Sequence, residues 1–275
     1  MTSDSRLKVA IVGDDRAHLH LARALADAVT REHITAHVRP WPDPDALDEA
    51  RVWHRHDGQV ELVRLGELDQ LIDAEHRRSG VRVKRTHQVE GKPVGPLANL
   101  ADACTLLAIS PEPPDVVLGL VDGDSRSGAA ERVRHLQLVL NFTRAKTPGF
   151  KAVVFGATIP CAEAWLVSIF GAAPRFADRR ARLKTELKFD PVTSPELLNT
   201  DKSAPQHAKR ALHTLLGEVA DDLMAVPAKT PKEQRYTELL HDTPLVLARL
   251  EGLSACGLAP FLTRLREDYA PHVCG

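Results

Sequence analysis

Val116-Val117-Leu118-Gly119-Leu120-Val121 is apolar at every position, and Asp122-Gly123-Asp124 follows it directly. A strand with one wet face would carry a polar residue at every second position, because successive side chains point to opposite faces. An unbroken apolar run rich in β-branched residues therefore predicts a strand covered on both sides, as in a parallel sheet. A tight hairpin cannot join parallel neighbours. They need a crossover, usually a helix, so the rest of the chain has to supply strands alternating with helices.

It does so on both sides of this run. Lys8-Val9-Ala10-Ile11-Val12 reads as a strand and Gly13-Asp14-Asp15 as a tight turn. Residues 16–29 read as an amphipathic helix, with Leu19, Ala22, Leu25, Ala26 and Val29 on one stripe and Asp14 or Asp15 as its cap. Residues 34–38 have the composition of a short strand. Pro40, Pro42 and Pro44 interrupt regular structure, 59–64 reads as a strand, 65–78 as a helix, and the stretch 76–85 is basic and exposed. Helical spacing returns over 97–109 and 129–140. Residues 151–157 form the next strand, leading through Thr158-Ile159-Pro160-Cys161 into a helix that carries Glu163 and Trp165. No further strand is evident after 161, where helical patterns recur near 175–188, 203–217, 231–251 and 256–268. The expected architecture is α/β: a parallel sheet flanked by helices in residues 1–170, with an insertion at about 40–95, then a helical region over 171–275.

With 43% hydrophobic residues in 275, the chain can bury a sizeable core. Its 36 Lys and Arg nearly balance 37 Asp and Glu, so any contact with nucleic acid has to come from a local patch. No apolar run approaches the roughly 18–20 residues that cross a bilayer, so no membrane span is expected. The polar start lacks the apolar stretch of a signal peptide. Cys104, Cys161, Cys256 and Cys274 form no C-x-x-C pair, which suits reduced thiols in a cytoplasmic protein better than a zinc site or a disulfide frame.

The acids at the strand ends are the candidate chemistry. Asp122 and Asp124 stand at i and i+2, on the same side of an extended backbone. Ligands of open α/β sheets collect beyond the carboxyl ends of the strands. Two carboxylates held there repel unless a cation such as Mg²⁺ joins them. Asp-Gly is also a turn dipeptide, with Asp124 or Ser125 as cap of the next helix, and on these three residues alone the two readings balance. Asp14 and Asp15 occupy the matching end of the first strand, and taken alone they read as a cap and a solvated acid. Glu163 shares the edge if its helix begins there, and otherwise it is an ordinary first-turn glutamate. His18 and His20, at i and i+2, do not share a helix face. His54 and His56 have no partner at a recognisable spacing, so all four read as solvated positions. Gly13 opens no nucleotide-binding glycine motif. Two basic clusters, one at 77–85 and one with Arg175, Arg179, Arg180, Arg182, Lys184 and Lys188, read as solvated faces. They are also the local candidates for phosphate-backbone contact, with Arg179, Arg180, Arg182 and Lys184 put forward for nucleic acid.

These motifs carry a resemblance. The apolar strand ending in Asp122-Gly123-Asp124 resembles the D-x-D strand end of TOPRIM domains. Ile159-Pro160-Cys161-Ala162-Glu163-Ala164-Trp165-Leu166 resembles the E-A-W-L signature of the TOPRIM-like DUF4276 family, grouped with OLD/RloB-type proteins of bacterial defence. Ser194-Pro195-Glu196-Leu197 with Lys202, residues 232–236, and residues 256–265 with Phe261-Leu262 resemble its later segments, so the likeness spans most of the chain except 40–95. The resemblance implies a Mg²⁺ (or Mn²⁺)-dependent nuclease subunit that cleaves phosphodiesters of DNA or RNA beside an ABC/OLD-like ATPase in anti-phage defence, and it is compatible with a homo-oligomer. It implies Asp122, Asp124 and Glu163 as metal ligands, and Asp14 or Asp15 with Glu163 as catalytic residues. There is one departure: Val12 stands where such domains carry a glutamate before the glycine, which displaces the nearest carboxylate by a peptide or more. A non-catalytic adaptor of the same fold is therefore the alternative. A small-ester phosphatase would need further motifs that the chain lacks.

Overall fold

The computed structural model describes residues 6–37, 47–53, 62–123, 129–217, 247 and 250–274. Asp124, Ser125, the three prolines at 40–44, His54, His56, residues 232–236 and most of the helix expected over 231–251 lie outside the described residues.

Strand β1 (Leu7–Gly13) is central, and all but one of its residues are buried. On one edge it pairs in parallel with two short strands in succession, β2 (Arg51–Trp53) and β3 (Leu62–Arg64). On the other edge it pairs in parallel with β6 (Val116–Asp122), in a register that sets Gly13 opposite Leu120. Strand β7 (Ala152–Thr158) completes the order β2-β1-β6-β7. The Lys151 N–H donates to the Asp115 carbonyl, and the Gly123 N–H to the Thr158 carbonyl, both at 2.7 Å. β6 and β7 thus start together and end together. The apolar run behaves as expected: every residue of β6 before Asp122 is buried, and so is all of β7.

Helix α1 (Arg16–His37) follows β1 and runs to His37. The strand expected over 34–38 is therefore helix as far as it is described. Ile34 is 4% exposed, four residues beyond Thr30, whose hydroxyl bonds the Ala26 carbonyl one turn earlier. Burial along this stripe outweighs the β-branched composition of Ile34-Thr35. The four-residue α2 (Leu47–Ala50) leads into β2. Helix α3 (Leu68–Ser79) follows a 3₁₀ turn after β3, and the hairpin β4 (Gln88–Val89) and β5 (Lys92–Pro93) precedes α4 (Ala98–Ala108). Helix α5 (Ala129–Lys146) connects β6 to β7. Beyond β7 the described residues form α6 (Ala162–Gly171), α7 (Ala177–Leu187), α8 (Ala208–Leu216), α9 (Leu258–Arg264), a π-helical turn and α10 (Ala270–Cys274), with only an isolated bridge between Asn199 and His207. Among the described residues, no helix is long and apolar enough to cross a membrane.

The chain divides into two units, each discontinuous in sequence: Met1–Val121 with Arg134–Phe155 and Thr263–Gly275, and Asp122–Val133 with Gly156–Leu262. The dividing line runs through β6, α5 and β7, which are continuous elements. In the first unit, Arg51 is 2% exposed, is ion-paired to Asp27, and lies 4.6 Å from the centre of the Trp53 ring. Tyr269 is buried beside them, and its hydroxyl is pushed up to about 12 by burial. Arg266 ties the C-terminal segment to Glu32 of α1 (2.8 Å), and Asp268 ties it to Arg144 of α5 (2.6 Å). In the second unit, Trp165 is fully buried as a core anchor. Its indole N–H donates to the Cys256 carbonyl at 2.7 Å, and its ring centre is 6.0 Å from that of Phe261. Cys104, Cys161 and Cys256 are free and buried, and burial pushes all three thiols up.

Candidate metal centre at the carboxyl edge of the sheet

The strand order locates the place to look. After β1 the chain builds β2 and β3 on one side, then crosses to build β6 and β7 on the other. The topology switches between β1 and β6, and ligands of open α/β sheets lie at such a switch, beyond the carboxyl ends of the strands. Asp14 directly follows β1, and Asp122 is the last residue of β6.

At the end of β1 the chain turns abruptly into α1. A Cβ on Gly13 would lie 2.9 Å from a Leu19 methyl, 3.0 Å from the Leu120 carbonyl oxygen and 3.1 Å from the His18 Cβ. Glycine here lets the first turn of α1 close on the strand end. Asp15 is the cap: its Oδ1 accepts the His18 N–H at 3.1 Å. The same oxygen lies 2.8 Å from His18 Nδ1. His18 is 1% exposed, so Asp15 fixes a buried ring from its solvent side.

At the end of β6, Asp122 is half-buried. Its Oδ1 accepts the Thr158 hydroxyl at 3.0 Å and the Ala162 N–H, in the first turn of α6, at 3.3 Å. The Asp122 carbonyl accepts from Arg132 at 2.9 Å. Gly123 earns its place through close approach: a Cβ would fall 2.5 Å from Ile159 Cγ1 and 2.7 Å from the Thr158 carbonyl oxygen. Glu163 stands half-buried in the first turn of α6, behind Cys161. The Cys161 thiol is pushed up first by burial, then by Glu163, which also accepts its hydrogen bond, and by Asp122.

Asp14, His18 and Asp122 each offer a ligand atom, and the three atoms lie within 4.8 Å of one another. Three ligands at about 2.0–2.2 Å around one ion stand about 3–4 Å apart, so small side-chain adjustments would close the set. Of the acids singled out in the sequence, two belong to this group. Asp15 stands behind His18. Glu163 lies beyond the group, and Asp124 lies outside the described residues. Val12 is fully buried, between Gly119 and Val63. His18 was read from the sequence as a solvated position, and the structure corrects that. The usable signal was its spacing of four from Asp14 and three from Asp15, which places all three at one helix start.

The four basic residues of α7 divide. Arg180 grips Asp190 through three contacts of 2.6–3.2 Å. Arg179 donates to the Leu215 carbonyl at 3.1 Å, near the end of α8. Arg182 and Lys184 are exposed. Comparisons of the chain with protein-family models, with characterised proteins and with solved structures give no significant match.

Proposed function

We propose that this chain is a metal-dependent, TOPRIM-like nuclease subunit that hydrolyses phosphodiesters of DNA or RNA, with an ABC/OLD-like ATPase as its partner in anti-phage defence. The observation that carries the reading is the convergence of Asp14, His18 and Asp122 at the topological switch. Two carboxylates and one imidazole suit a divalent ion, and the imidazole tilts the set from Mg²⁺ toward Mn²⁺. The residues fit such an ion further, because a histidine ligand is commonly held by a carboxylate on its other ring nitrogen. Asp15 at 2.8 Å from Nδ1 would play that part and leave Nε2 for the ion. When bound, the ion supplies Lewis-acid polarisation of a phosphoryl oxygen. The chain's own contribution is to orient: Thr158 and the start of α6 hold the Asp122 carboxylate, and Gly13 holds α1 against the strand end.

The test is Mn²⁺ binding to the full chain by calorimetry, with cleavage of plasmid DNA and of a structured RNA as second readout. We expect one Mn²⁺ per chain, lost in His18→Ala and Asp122→Asn. At one hundred times the dissociation constant, Mn²⁺ should add about 2.7 kcal/mol of stability. Intact DNA and RNA with Mn²⁺ and with Mg²⁺, in the presence and absence of the ATPase, would sink the nuclease reading. Val12 favours a second reading, a non-catalytic adaptor, because a buried valine stands at the glutamate position of TOPRIM domains. In that case Asp14→Ala with Asp122→Ala would leave function in cells intact.

A further inference from the structure

The segment from the end of α3 through the β4–β5 hairpin is one of the chain's two basic clusters. Residues 76–92 hold six Lys and Arg against one Glu, in a chain whose formal net charge is -1. It lies in the stretch that the family resemblance does not cover.

Its cations fall into two groups. Arg78 is spent on Glu75 at 2.6 Å. Arg85 contacts Asp69 at 2.7 Å, Asn99 at 2.8 Å and the fully buried Asp102 at 3.0 Å. Asp102 also accepts the Thr86 N–H at 2.9 Å, so one buried carboxylate pins the segment at two successive residues. Val83 and Val89, 5% and 1% exposed, plug the segment into the core. The chain reverses at Glu90 and Gly91, both at positive φ, the mark of a two-residue hairpin turn. By contrast Arg77, Arg82, Lys84 and Lys92 are exposed and make no ion pair among the described residues. Arg82 and Lys84 flank the buried Val83, so the plug that fixes the loop also turns both outward.

A fixed backbone presenting unpaired cations suits a polyanion, because the ordering cost is met on folding and not on binding. We infer that the segment 76–92 is the surface that contacts the sugar–phosphate backbone of nucleic acid, through Arg77, Arg82, Lys84 and Lys92, in preference to α7. The inference rests on the nuclease reading for its choice of polyanion. On α7 the comparable surface is smaller, since Arg179 and Arg180 are committed to the Leu215 carbonyl and to Asp190.

Each phosphate neutralised on duplex DNA contributes about -0.9 to the slope of log affinity against log salt, and about -0.7 on a single strand. Four such contacts make a slope of about -3.6, or roughly a 150-fold loss between 50 and 200 mM salt. The experiment measures binding of the full chain to a labelled DNA duplex and to an RNA of the same sequence, by fluorescence polarisation across that range, in EDTA. Two variants are compared with the parent, each checked for an unchanged melting profile: Arg77→Gln/Arg82→Gln/Lys84→Gln/Lys92→Gln, and Arg182→Gln/Lys184→Gln on α7. The slope should flatten by about 3 units in the first and stay within about 1 in the second. Retention of the parent slope by the first variant would overturn the inference. So would absence of binding by the parent to both nucleic acids, including the case in which it binds phosphatidylserine vesicles instead. Because EDTA removes any metal, a chain that binds DNA through this segment and holds no Mn²⁺ would refute the nuclease reading and leave the surface standing.

Discussion

Gly123→Ala should destabilise the protein by about 2–3 kcal/mol, and the reason is contact, not backbone freedom. Gly123 does not adopt a positive φ. An alanine Cβ would stand 2.5 Å from Ile159 Cγ1, 2.7 Å from the Thr158 carbonyl oxygen and 3.2 Å from Ile159 Cα. Non-bonded carbons rest at about 3.5–4.0 Å. Ile159 Cγ1 can rotate away. The Thr158 carbonyl is backbone, and it accepts the Gly123 N–H at 2.7 Å. The ends of β6 and β7 must therefore part. Overpacking of this kind costs about 1–3 kcal/mol, and a strained backbone hydrogen bond forfeits part of a further 0.5–1.5 kcal/mol, roughly. For a chain of this size the thermal midpoint should fall by roughly 4–12 °C. Gly149→Ala is the matched control: a Cβ there meets nothing within 4 Å, and φ is not positive. It should be neutral or stabilising by up to about 1 kcal/mol, through the unfolded chain. Circular dichroism melts and urea titrations of both variants decide the matter. If Gly123→Ala stays within about 0.5 kcal/mol of the parent, or if Gly149→Ala loses as much, the argument from strand-end contact is wrong.

Two further outcomes can be checked with the same melts. Trp165→Phe should cost about 1–3 kcal/mol, from one buried hydrogen bond and a smaller ring. The low end is favoured because the Cys256 carbonyl keeps the Ile159 N–H at 3.1 Å. Asp190 gives a pH signature: burial would raise its carboxyl, but Arg180 and the Val192 N–H outweigh this and hold it below the usual range. Its stabilising contribution is fully present above about pH 4, the ordinary carboxylate value, and fades as pH falls through its depressed one. Asp190→Asn should thus lower stability at pH 7 and flatten the pH dependence below about pH 4. A parallel acid limb in the two proteins would contradict it.

The elements read correctly from the sequence are those whose burial repeats locally. β1, β6 and β7 are continuous apolar runs, α6 is apolar almost throughout and α5 keeps a buried helical stripe, so a window of ten residues contains their whole signal. Ile34 failed for the opposite reason: its local composition favours a strand, and what holds it in helix is burial against the rest of the unit. β2 is only three residues long, and its Arg51 is buried by pairing with Asp27, twenty-four residues away. No window reveals that pairing. His18 is the instructive case. Its neighbour His20 was the wrong partner to test. Asp14 and Asp15 were at hand one turn back, but Asp122 is more than a hundred residues off and arrives only because β6 crosses to the far edge of β1. The acids at the strand ends were legible, whereas the ligand set depended on strand order.

Asp122 has two duties that a single substitution can separate. One is structural: its Oδ1 accepts the Thr158 hydroxyl and the Ala162 N–H. Loss of such a cap typically costs about 0.5–2 kcal/mol. The other duty is the charge it brings to Asp14 and His18. Asparagine keeps a side-chain oxygen for the first duty and gives up the charge of the second. Asp122→Ala gives up both. If Asp122 serves only to cap, Asn should match the parent in stability and in Mn²⁺ affinity. If it is also a ligand, Asn should melt within about 0.5 kcal/mol of the parent without metal and gain nothing when Mn²⁺ is added, while the parent gains about 2.7 kcal/mol at one hundred times its dissociation constant. Alanine should lose on both counts. Equal Mn²⁺ stabilisation of parent and Asp122→Asn would remove Asp122 from the ligand set, and with it the convergence on which the nuclease reading depends.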